Sequence, residues 1–117
     1  MYDFYEYPKC STCRKAKATL DMLDIDYNDI DIKTNPPKAE QFEKWFADFS
    51  VKTFFNTSGL VYRELGLKDK LAGLSNREAA ELLASNGMLV KRPLIVKDDQ
   101  VLLIGFKQEK YQEVLKH

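Results

Sequence analysis

Two cysteines separated by two residues, Cys10-Ser11-Thr12-Cys13, stand where a strand signal gives way to a helical one, and this placement constrains the chain more than any other feature. Residues 2–7 mix Tyr and Phe with single acids, as short strands do. From Ser11 to Asp24, Cys13, Ala16, Leu20 and Leu23 recur at i, i+3, i+7 and i+10, one face of a helix. That spacing puts both sulfurs on one turn, close enough to form a disulfide. It sets the first beside unsatisfied N–H groups, where the helix dipole favours a thiolate, and Lys9 and Arg14 add positive charge nearby. Two other readings stay open here: a pair of structural thiols, or half of a zinc site shared between chains.

The rest of the chain supplies the context. Ile25, Tyr27, Ile30 and Ile32 alternate against acids and read as a second strand over 25–32. Thr34-Asn35-Pro36-Pro37 then opens a helix carrying Phe42, Trp45, Phe46 and Phe49, an apolar stripe that reads as core. Residues 50–74 are irregular, with a turn or cap at Asn56 to Gly59 and a short helix over Tyr62 to Leu67. Ser75-Asn76-Arg77-Glu78 is a capping box and Asn86-Gly87 a helix end, so 76–85 is helical. After Arg92-Pro93, Leu94 to Val96 and Val101 to Ile104 flank Asp98-Asp99 as an antiparallel hairpin. Residues 107–116 close as a helix. This order, with CxxC at the first strand-to-helix turn, is the thioredoxin-like layout. The expectation is a single α/β domain over 1–117 with a mixed four-stranded sheet. A helical insertion, about 36–86, separates its βαβ and ββα halves.

In such folds a cis-proline faces the reactive cysteine, and Pro93 is the candidate. Arg92 would then project at the mouth of the CxxC turn, beside Cys10. It would close one side of an anion-binding nest made by the N–H groups of Ser11, Thr12 and Cys13. The plainer alternative has Pro93 starting an edge strand and Arg92 solvated.

Composition narrows the function. Eighteen basic and eighteen acidic residues give a net charge of zero, so no field draws nucleic acid and no direct nucleic-acid partner is expected. The longest apolar runs are too short to span a bilayer, and Met1 to Glu6 lacks a signal-peptide layout, so the expected location is cytoplasmic, away from membranes. The lone histidine is His117, the last residue. A terminal position makes it a poor general base, and with two cysteines it cannot complete a four-ligand zinc sphere within one chain without carboxylates, so no metal is expected.

The chain resembles the ArsC/Spx family, a thioredoxin-fold group with a helical insertion, over nearly its whole length. The resemblance lies in Cys10-Ser11-Thr12-Cys13-Arg14-Lys15-Ala16, Tyr62-Arg63-Glu64-Leu65-Gly66-Leu67, Lys91-Arg92-Pro93-Leu94-Ile95-Val96 and Ile104-Gly105-Phe106. It implies an arsenate reductase-like thiol oxidoreductase. Cys10 would attack a small oxyanion or a disulfide, Cys13 would resolve it, and glutathione, glutaredoxin or thioredoxin would return the electrons. No cofactor is implied beyond the Cys10–Cys13 disulfide. The Spx branch implies instead a redox-sensing transcription regulator that binds the RNA polymerase α subunit. Of the three oxyanion arginines in the reductases only Arg92 is matched. The first falls at Asn56 to Ser58 and the third at Gly105-Phe106-Lys107, which leaves Arg63 and Lys107 as candidate substitutes. Losing two charge-assisted donors should weaken oxyanion binding by several kcal/mol. The glycine of the Spx polymerase contact falls on Ser50.

Overall fold

In the computed structural model, which describes residues 1–115, β1 (Tyr2–Glu6) and β3 (Leu94–Lys97) form the middle of a four-stranded sheet ordered β2-β1-β3-β4. β2 (Tyr27–Asp31) runs parallel to β1, with Tyr2 opposite Tyr27 and Glu6 opposite Asp31. β3 is antiparallel to both β1 and β4 (Gln100–Ile104), so the sheet is mixed, as expected. The central place of β3 explains its unbroken apolar run, since Leu94, Ile95 and Val96 are all buried. Asp98 and Asp99, both with positive φ, make the tight β3–β4 turn, a backbone state that Asp tolerates.

The chain divides into two compact units, Ile32–Lys91 and the segments on either side of it. In the flanking unit, α1 (Ser11–Met22) buries Cys13, Ala16, Thr19 and Leu20. It ends where Asp24 turns left-handed at φ 59°. Phe4, Ala16, Leu20, Ile25, Ile95, Tyr111 and Leu115 form one core cluster. The last two come from the end of the chain, where α6 covers Gln108–Val114. His117 and Lys116 lie outside the described residues.

The Ile32–Lys91 unit is helical. Its α2 spans Ala39–Trp45, and the proline pair precedes it instead of opening it. The residue before a proline is pushed out of the helical region, so the helix waits for Lys38, whose N–H donates to Gln41 Oε1 at 2.8 Å. Phe49 lies beyond α2, yet Phe42, Trp45, Phe46 and Phe49 all meet Phe54 with ring centroids 5.5–6.3 Å apart. The aromatic stripe is thus core. Phe54 sits in a 3₁₀ turn, Val51–Phe54. α3 (Leu60–Glu64) and α4 (Leu67–Lys70) replace the single helix expected over 62–67. Gly66 between them is left-handed at φ 63°. α5 (Asn76–Ser85) starts at the expected capping box, Ser75 Oγ accepting from the Glu78 N–H and Glu78 Oε1 from the Ser75 N–H.

Candidate active site

Cys10 is the N-cap of α1, with extended φ/ψ of −84° and 121°. Its own N–H donates to Tyr7 O at 2.9 Å, its carbonyl accepts from the Arg14 N–H at 3.1 Å, and its Sγ accepts from the Cys13 N–H at 3.4 Å. An N-cap side chain normally supplies an oxygen acceptor to the open N–H groups of the first turn. A sulfur in that place fills the role best as a thiolate. Burial pushes the Cys10 thiol up, but hydrogen bonds from the Cys13 thiol and backbone N–H, with the charge and a hydrogen bond of Arg92, outweigh it and hold Cys10 below the usual thiol range. Cys13 is fully buried, and burial with the neighbouring Cys10 pushes it up to about 12. Of the two sulfurs Cys10 is therefore the readier to ionise, and Cys13 is the one that keeps its proton. Both cysteines are free and lie side by side.

The Arg92–Pro93 bond is cis, and the Arg92 guanidinium carbon stands 5.8 Å from the centroid of the Tyr7 ring. Pro93 O accepts from the Gly105 N–H at 2.8 Å, which ties it to the end of β4. Gly105 itself is left-handed at φ 78° and its carbonyl accepts from the buried Tyr111 hydroxyl at 2.9 Å. Burial, then the charge of Cys13, pushes the Tyr111 phenol well up.

The other expected residues are placed as follows. Ser11 and Thr12 are exposed on the first turn of α1. Arg14 donates to Lys9 O at 3.4 Å, while the positive charge acting on Cys10 is that of Arg92. Lys107 is exposed at the N-cap of α6, without a side-chain capping bond. Arg63 lies in α3, on the wall of a cleft shared with Lys52, Thr57 and Lys68. Among the described residues no three His, Cys, Asp or Glu side chains are grouped to hold a metal.

Two neighbours of the site and one buried acid lie outside the motifs in the sequence. Tyr7 meets the arginine, and Tyr111 stands near Cys13. Glu6, at the end of β1, is only 3% exposed and meets Lys17 Nζ at 3.5 Å, and Lys17 also pairs with Asp29. The parity of β1 held the signal for Glu6, because it shares a face with the fully buried Phe4.

A parallel β1–α1–β2 unit, an antiparallel β3–β4 pair, a CxxC at the first turn and a cis-proline opening β3 together define a thioredoxin-like fold. Within that class the chain belongs to the ArsC family, whose model matches residues 5–114. It is 47% identical over 112 residues to the uncharacterized protein YusI of Bacillus subtilis, covering 94% of each chain. It is 25% identical over 117 residues to the global transcriptional regulator Spx of Lactiplantibacillus plantarum, covering 98% of this chain and 86% of Spx. Among solved structures, a possible arsenate reductase from Streptococcus mutans UA159 superposes with a TM-score of 0.88 at 60% identity, covering 92% of each chain. No described helix is long and apolar enough to cross a membrane.

Proposed function

We infer that this chain is a thiol-dependent oxidoreductase of arsenate reductase-like type, with Cys10 as nucleophile and Cys13 as resolving thiol. The observation that carries this is the asymmetry of the pair: Cys10 is depressed, half-exposed and beside a guanidinium, while Cys13 is buried and holds its proton. On a disulfide substrate the Cys10 thiolate attacks one sulfur, the substrate S–S bond breaks, and one thiolate leaves. Cys13 then loses its proton and attacks Cys10 Sγ. This releases the second substrate thiolate and forms the Cys10–Cys13 disulfide, so two electrons pass to the substrate. On an oxyanion such as arsenate the same two thiols supply the two electrons. A thiol reductant of the glutathione, glutaredoxin or thioredoxin class returns them by exchange at the exposed sulfur. The similarity to the possible arsenate reductase supports this reading, at far higher identity than the similarity to Spx.

The CxxC and the similarity to Spx over 98% of this chain favour one second reading, a redox-sensing regulator that binds the RNA polymerase α subunit. A glutaredoxin-coupled NADPH assay with arsenate and with a small disulfide, run beside a pull-down with the α subunit, separates the two. Turnover that needs both cysteines supports the enzyme. No turnover, with capture of the α subunit dependent on oxidation, overturns it.

A further inference from the structure

The helical unit carries a set of clefts that none of Cys10, Cys13 and Arg92 lines. A cleft of about 260 Å³ is lined by Lys52 and Lys91 together with the hydroxyls of Ser50, Thr53, Thr57 and Ser58, and no acid faces it. Two further clefts, of about 530 and 370 Å³, adjoin it, because Lys52 lines all three and Thr57 lines two. The larger brings Arg63 and Lys68, against one acid, Asp69. The smaller adds an apolar wall, Val51, Leu71 and Leu74.

Across the three clefts four cations thus face one carboxylate, in a chain with equal numbers of each. Lys52, Arg63, Lys68 and Lys91 make no ion pair among the described residues. Elsewhere in the same unit the chain neutralises a cation fully, since Arg77 is met by Glu40, Glu43 and Glu81. Concentrating like charge around concave surfaces raises the local potential and attracts counter-ions of the opposite sign. The two larger volumes fall in the range of small-molecule sites, and the hydroxyls and ammonium groups of the first cleft, with no acid among them, suit an anionic group.

We propose that these joined clefts are a binding site for a small organic molecule carrying two anionic groups on a short apolar body. One anionic group lies at Lys52, Lys91 and the four hydroxyls, the second at Arg63 and Lys68. The body rests against the apolar wall. Phosphate and carboxylate share this chemistry, so the probes separate them.

The test is a backbone-amide NMR titration of the full-length protein with sodium pyrophosphate and, separately, with sodium adipate, sodium chloride holding the ionic strength constant. The expected result is saturable shifts confined to residues 50–58, 63–68 and 91, retained in Cys10→Ser. Lys52→Ala should weaken binding by about ten-fold or more, whereas Lys44→Ala, an exposed lysine outside the clefts, should leave it unchanged. Saturation with pyrophosphate alone assigns phosphate, and with adipate alone carboxylate. Non-saturable shifts, shifts that survive Lys52→Ala, or shifts centred on Ser11 to Cys13 overturn the proposal. Both substitutions are at exposed positions, so unchanged circular dichroism shows that the fold persists.

Discussion

At the scale of single residues, the candidate site depends on how one sulfur is made different from another three residues away. The Cys13 N–H and thiol stabilise the Cys10 anion locally, and Arg92 adds charge from a separate part of the chain. Arg92→Ala should therefore raise the Cys10 pKa toward the usual thiol range and slow its alkylation at neutral pH several-fold. Arg92→Lys should restore only part, since an ammonium keeps the charge and loses the planar fork. Iodoacetamide rates measured against pH read both. Equal titration curves for wild type and Arg92→Ala would remove the arginine from the mechanism. Cys13→Ser should convert the diamide product from an intramolecular disulfide to intermolecular or mixed disulfides, visible by mass spectrometry, because Cys10 then lacks its resolving partner.

At the scale of elements, local rules predict well wherever a backbone need is met locally. Ser75 and Glu78 cap α5 through adjacent backbone, and Asp98-Asp99 turn the hairpin through their own conformation, so both could be read in the sequence. Asn86-Gly87 was read for a reason that the structure changes. Gly87 does not end α5 in a left-handed state; a Cβ there would stand 2.2 Å from Ile32 O, so close backbone approach requires the glycine. A contact between residues so far apart in the chain leaves no local trace. Gly87→Ala should thus destabilise the protein by about 2–3 kcal/mol, as overpacking does. Gly73→Ala, where nothing stands within 4 Å, should change stability by less than about 0.5 kcal/mol. Urea unfolding of the two variants decides, and similar losses would refute the steric account. The same limit explains residues 50–74. Phe54 draws four aromatic rings around itself and so organises a segment whose own residues favour no regular element. The placement of Cys10 and Cys13 on one turn with Arg92 beside them was legible because a motif and a dipeptide announce it. Tyr111 was not, since its nearness to Cys13 depends on where the last helix packs.

At the scale of the whole molecule, a balanced net charge puts the pH dependence of folding in the hands of its few buried ionisable groups. Glu6 is one of them: burial first, then a hydrogen bond and repulsion from Asp29, raise its carboxyl from 4.5 to about 7, with Lys17 acting in the opposite direction. A folded-state pKa above the unfolded value means that the folded chain holds the proton more tightly. The stabilisation from Glu6 is then fully present below about pH 4.5 and is lost as pH rises to about 7. Asp29 works the other way. Despite partial desolvation, hydrogen bonds from Glu6 and Lys17 hold it below the usual carboxylate range, so its contribution is present above that range and lost in acid. If these two groups dominate the proton balance of folding, stability is expected to peak in mildly acidic solution. From pH 4.5 to 7.5 the wild type should lose on the order of 1–3 kcal/mol of unfolding free energy. Glu6→Gln keeps the shape of the protonated acid and cannot ionise, so its curve should be nearly flat over that window. Chemical unfolding of both proteins at half-unit pH steps measures this, and parallel curves would show that the proton bound on folding sits elsewhere.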